Sequence, residues 1–144
     1  MSILNNVQVQ RVVGYNAAST TNRKGSIVDM QGFDGVLFVA TFGTMTSGSK
    51  VLLKAAQGDE DDTAKVDVSV ATTGEVTSDG TDDVQLALDV YRPTGRYVEA
   101  QVEISEENAL IEGVVAILYK GSKMPITQAD ATLAAKSFAS PADA

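Results

Sequence analysis

Gly35-Val36-Leu37-Phe38-Val39-Ala40-Thr41-Phe42-Gly43 is the stretch that decides how this chain folds. It is β-branched and aromatic, bounded by glycine at both ends, and apolar at odd and even positions alike. A short run of that kind is a strand lying in the middle of a packed sheet, with both faces covered. Residues 43–49 follow as a turn, and Val51-Leu52-Leu53-Lys54-Ala55-Ala56 is expected to be its antiparallel partner. Upstream, Ser26-Ile27-Val28-Asp29-Met30 is a short strand closed by Gly32. Residues 15–22, rich in Ala, Ser, Thr and Asn, suit a loop. Residues 7–13 alternate apolar and polar at first and end at Gly14, which fits a strand or an extended arm.

Further downstream the two-residue period recurs. Val66, Val68 and Val70 alternate with polar residues, as do Val84, Leu86, Leu88 and Val90. Pro93-Thr94-Gly95 then supplies a fixed φ and a permissive one, so the strands either side of it are expected to form a hairpin. Residues 96–104 form the return strand, Glu106 and Glu107 mark a turn, and residues 110–119 make a long apolar strand stopped by Gly121. About seven or eight short strands separated by turn signals, with no internal repeat, predict an all-β antiparallel sandwich or barrel, jelly-roll-like, with extended N- and C-terminal arms. From Met124 the texture becomes small and polar. The domain is therefore placed at residues 1–123, with its core at about 25–119, and residues 124–144 form a C-terminal arm. Residues 127–136 could instead make a short helix capped by Thr127; the arm is the preferred reading.

Composition narrows the function. The 144 residues include no cysteine and no histidine, which removes disulfides, thiol nucleophiles, imidazole metal sites and the familiar Ser-His-Asp arrangement. A net charge of −8 repels phosphate backbones and anionic bilayers, so neither a nucleic acid nor a membrane is an expected partner. The first residues show no cationic segment leading into an apolar one, and the apolar runs are too short to span a bilayer, which predicts a soluble protein.

Few constellations suggest chemistry. Gly58-Asp59-Glu60-Asp61-Asp62 and Ser78-Asp79-Gly80-Thr81-Asp82-Asp83 crowd carboxylates, yet neither has EF-hand spacing, and solvated turns explain both. Gly32-x-x-Gly35 precedes a strand and opens no helix, so it is no phosphate loop. Glu99 and Glu103 share one strand face and could be imagined as a glycosidase pair; solvated edge residues are the preferred reading. No catalytic residue, metal ligand or cofactor site is assigned. Phe33, Phe38 and Phe42 belong to the core or to a subunit contact. What remains is Arg92 and Arg96 beside Tyr91 and Tyr97, residue types enriched at protein interfaces. With Met124, Pro125 and Ile126 at the root of the C-terminal arm, they form the candidate interaction surface.

Taken together, Gly32-Phe33-Asp34-Gly35 with the strand that follows, Leu88-Asp89-Val90-Tyr91-Arg92-Pro93, Arg96-Tyr97-Val98 and Ala116-Ile117-Leu118-Tyr119 resemble small virion proteins of tailed bacteriophages, the capsid decoration or cement proteins. The resemblance implies a non-enzymatic protein made in the host cytoplasm and carried on the outer surface of the capsid. It also implies the major capsid protein as partner and a homo-oligomer, a trimer above all. Rival readings are another phage part, from tail or head completion, and a carbohydrate-binding β-sandwich module. The absence of tryptophan speaks against the module.

Overall fold

The computed structural model describes residues 3–61, 68–80, 84–121 and 134. Among these there is one 3-10 turn, Ile3–Asn5, and no α-helix. The strands are β1 (Val7–Val13), β2 (Asn16–Ser19), β3 (Arg23–Asp29), β4 (Gly35–Met45), β5 (Lys50–Gly58), β6 (Val68–Thr72), β7 (Val76–Thr77), β8 (Gln85–Tyr91), β9 (Tyr97–Ser105) and β10 (Ala109–Tyr119). They form two antiparallel sheets, ordered β1-β10-β4-β8 and β3-β9-β5-β6, with the short β2 attached to β10 and β7 to β5. With those two short strands set aside, the long strands in chain order give sheets 1-8-3-6 and 2-7-4-5. That is the order of a jelly roll, an arrangement of paired Greek keys.

The run from Gly35 to Gly43 lies where its pattern requires, inside a sheet between β10 and β8. Its even residues Val36, Phe38, Ala40 and Phe42 are fully buried between the sheets. Opposite them, Leu118, Ala116 and Val114 of β10 point the same way, as do Val90, Leu88 and Leu86 of β8. The second sheet answers with Val51, Leu53 and Ala55 from β5 and Val98, Ala100, Val102 and Ile104 from β9. Both sets alternate with outward residues, so one continuous core fills the space between two sheets. The odd residues Leu37 and Val39 are only half-buried, on the outer face.

Several local expectations change. β5 is not the partner of β4: it pairs with β9, β6 and β7 in the opposite sheet. Nor do β8 and β9 form a hairpin, because β8 pairs with β4 and β9 with β3 and β5. Both connections are arches that cross between the sheets. A turn signal marks where the chain reverses but not whether it returns to the same layer, and in this topology most returns change layer.

Of the two readings of residues 7–13, the strand is the one observed. Val7–Val13 is a strand whose first four residues pair with Tyr119, Leu118, Ile117 and Ala116, and whose Val12 and Val13 enter the core. Part of the expected loop at 15–22 is strand β2. Glu99 is not a solvated edge residue either. It sits on the central strand β9, has no exposure, and accepts a 2.9 Å hydrogen bond from Gln101 Nε2. Glu103, on the same face, stays near water and meets Lys54 Nζ at 2.6 Å. All but residue 134 of the C-terminal arm and of the alternative helix at 127–136 lies outside the described residues, as do Asp62 and residues 81–83 of the acidic stretches.

Candidate interaction surface

The arch of residues 92–96 closes one end of the sandwich, and backbone chemistry fixes its shape. Arg92 takes a positive φ of 52°, a conformation that L-residues avoid, and its N–H donates to the Asp34 carbonyl at 2.7 Å. Gln57 of β5 holds the arch from beneath: its Oε1 accepts from the Gly95 N–H at 3.0 Å and its Nε2 donates to Thr94 Oγ1 at 2.7 Å. Gly95 must be glycine for this, since a Cβ there would stand 2.9 Å from both the N and O of Gly58. On the far side, the Met30 N–H donates to the Arg96 carbonyl at 2.8 Å.

Arg96 is committed within the fold. Its Nε and Nη2 donate to the two carboxylate oxygens of Asp29 at 3.0 and 2.9 Å, a two-pronged pair, while its guanidinium lies 5.1 Å from the Tyr97 ring centre. The hydrogen bond from Arg96 holds the Asp29 carboxyl below its ordinary value of 3.8, against a smaller upward push from burial. The stabilisation is therefore complete above that value and is lost as pH falls through the lowered one. Replacing Asp29 by Asn should remove the pair and flatten the dependence of stability on pH below about 4. Both side chains are about half exposed, so water screens the pair and the effect is small. Urea midpoints from about pH 2.5 to about pH 6 check this; an unchanged slope in the variant would show that Asp29 contributes nothing.

Tyr91 is the exposed element, at 50%. The rings of Tyr91 and Tyr119 are parallel, 2° apart with centres 6.5 Å from each other. Gly35 lies between them in the sheet row, and a Cβ there would overlap the Tyr119 ring. Tyr119 donates its O–H to Asp89 Oδ1 at 2.5 Å. Burial first, and then that hydrogen bond and charge, raise its pKa far above the usual tyrosine value, so the ring keeps its proton. Arg92 and Lys120 both approach the Tyr91 ring, at 5.2 and 5.5 Å from its centre. Beside them a cleft of about 430 Å³ opens between Met30, Phe33, Asp34, Asp59, Arg92 and Pro93.

The four residues named from sequence are thus divided. Arg92 and Arg96 both border the cleft, but the arch sends Tyr91 to the outer face of one sheet and Tyr97 to that of the other. Met124, Pro125 and Ile126 lie outside the described residues. Tyr119, Lys120, Asp29 and Gln57 were not foreseen. Only strand register brings them to this end, and no local motif marks it. Among the described residues no group of three carboxylates is placed to hold a metal.

No family model matches the chain, and no curated protein matches it. Among solved structures it is similar to a chain of the infectious bursal disease virus Gt strain, with a TM-score of 0.49 and 11% identity, over 78% of this chain and 32% of that one. It is also similar to dimeric latent PorU from Porphyromonas gingivalis, with a TM-score of 0.48 and 7% identity, over 81% of this chain and 13% of that one. The chain therefore spans under a third of the first structure and about an eighth of the second.

Proposed function

We propose that this is a non-enzymatic structural protein of a phage virion, which binds the outer surface of the capsid through the arch end and reinforces the shell as a decoration or cement protein. The observation that carries the reading is the hydrogen-bonded arch, with Tyr91 approached by Arg92 and Lys120 next to a cleft that mixes apolar and charged residues. Tyrosine and arginine fixed in place before contact lose little entropy on binding, which is what an anchor residue needs. The jelly roll fits the same reading, because shells and lectins both use it, although a fold alone does not fix a role. So do the resemblance of the chain to small phage virion proteins and an acidic charge suited to the outside of a DNA-filled shell. The partner is the major capsid protein, and the protein acts as a trimer of identical chains, without a cofactor.

Capsids of the encoding phage, stripped of this protein, supply the test. Wild-type chain should cosediment with them, and Tyr91→Ala or Arg92→Ala should each weaken binding by about tenfold or more without lowering the melting temperature. Full-strength binding by both variants would remove the arch as the anchor.

A second reading has one observation behind it. Two parallel tyrosine rings beside Asp89 and Arg92 are a flat platform of the kind a sugar ring could stack upon. Retention on a glycan array, lost in Tyr91→Ala, would favour a carbohydrate-binding module over the virion reading.

A further inference from the structure

We propose that the open edge of β8 is a strand-addition site. It takes an extended segment of a partner protein, apolar at alternate residues and carrying a lysine or arginine that faces Asp89. The inference rests on the reading above for the partner itself, the major capsid protein, and adds the way it is held.

The ladder between β4 and β8 shows which backbone groups are free. The Phe42 N–H donates to the Val84 carbonyl, and the Arg92 N–H to the Asp34 carbonyl. Both bonds fall in the continuous register that pairs Val36 with Val90, Phe38 with Leu88 and Ala40 with Leu86. In an antiparallel ladder, hydrogen-bonded pairs alternate with pairs whose N–H and C=O turn away from each other. The even residues of β8 therefore bond to β4, while Gln85, Ala87 and Asp89 turn their N–H and C=O outward. β8 stands last in its sheet, and these three residues are exposed. Among the described residues no backbone hydrogen bond reaches them from the far side.

The edge is also unguarded. Folds ordinarily protect such a row with lysine, proline or a bulge, because it templates pairing with another chain. The ladders of β1, β3 and β6 each carry a register shift. The β4–β8 ladder carries none, and β8 contains neither lysine nor proline. A straight, bare edge is what strand-adding proteins present to an extended peptide.

Side chains describe the occupant. Leu86, Leu88 and Val90 keep 6–8% exposure, where Val36, Phe38 and Ala40 beside them in β4 keep none. An added strand with apolar residues on its inner face would complete that closure. On the outer face Asp89 bears the charge of this strand. It accepts a hydrogen bond from Tyr119, and no ion pair among the described residues neutralises it. A lysine or arginine directly across the edge would stand about 5 Å away, Cβ to Cβ, and could pair with it. A second copy answers less well, because pairing β8 with β8 brings another Asp89, and another net charge of −8, to the same edge. Tyr91 keeps its place as the anchor at the arch; the strand seat lies beside it, at residues 85–89.

The test uses the full chain and the stripped capsids. Ala87→Pro removes an outward N–H and blocks the seat while leaving the bonds to β4. It should weaken cosedimentation about tenfold or more. Gln85→Pro, at the first residue of β8, serves where that variant fails to fold. Asp89→Asn, which can still accept from Tyr119, should weaken binding about threefold at low salt and less at high salt. Circular dichroism and melting temperature show whether each variant is folded. Amide exchange, read residue by residue, is the second measurement: Gln85, Ala87 and Asp89 should exchange freely in the free chain and slowly on the capsid. Folded proline variants that bind at full strength would overturn the proposal, as would amides that stay fast in the bound chain. Protection that instead grows with concentration of the free chain would assign the edge to a second copy and overturn it too. If the wild type ignores capsids, the virion reading fails and a synthetic peptide of alternating valine and lysine decides the edge. Protection of Ala87 and Asp89 by that peptide at millimolar concentration, and not by its valine–glutamate counterpart, would sustain strand addition; equal protection or none would end it.

Discussion

Truncating Phe38 to alanine should cost the fold about 4 kcal/mol, measured as a shift of the urea midpoint at unchanged slope. The ring is fully buried at the centre of β4, with Ala116 of β10 on one side and Leu88 of β8 on the other. Its neighbours are held by backbone ladders on both flanks, so they cannot close over the space it leaves, and the cavity adds to the lost transfer energy. Domains are stable by only about 5–15 kcal/mol in total, so this one change removes a large share. A loss below about 1.5 kcal/mol would mean that the site collapses freely and that the core is centred elsewhere.

The same strand shows what the sequence discloses and what it hides. Apolar residues at both parities between glycines announce a central strand, and the alternation in β8 assigns its inner residues Leu86, Leu88 and Val90 correctly. Those are local properties of backbone period and burial. Partnership is not local. β5 follows β4 after a turn and still belongs to the other sheet, and Pro93-Thr94-Gly95 turns the chain without pairing the strands beside it. In a jelly roll the pairing of β10 with both β1 and β4 is set by how the chain wraps, to which no nearby residue testifies.

The candidate surface was legible to the same degree. Tyr91 and Arg92 stand out because exposed aromatic and arginine side chains cluster at a turn. Tyr119 and Lys120 join them only through the row that β10 and β8 share across Gly35. Glu99 shows the opposite failure. Strand alternation gives the correct face, but burial on that face depends on what covers β9, and a carboxylate in an otherwise polar-alternating strand looks solvated until the layers are in place.

Deleting residues 1–10 should destabilise the protein by about 3–4 kcal/mol and make it aggregate, although the sequence allows residues 7–13 to be an extended arm as well as a strand. Val7, Gln8, Val9 and Gln10 pair with Tyr119, Leu118, Ile117 and Ala116, and each ladder hydrogen bond contributes a net of about 1 kcal/mol. Leu118 and Ala116 are fully buried, so stripping their neighbour strand opens the core from the side. It also bares the edge of β10, a long strand apolar on both faces, and an uncovered edge of that kind recruits other chains. Deleting only residues 1–6 is the control. That change removes the turn bearing Ile3, which is 76% exposed, and leaves every β1–β10 pair intact. Its cost should be smaller than that of the longer deletion, because the β1–β10 ladder is kept. Melting curves with light scattering separate the two deletions. If both melt like the full chain and remain clear, the pairing of Val7–Gln10 does not hold β10 in place, and the sheet must be closed by Arg11, Val12 and Val13 alone.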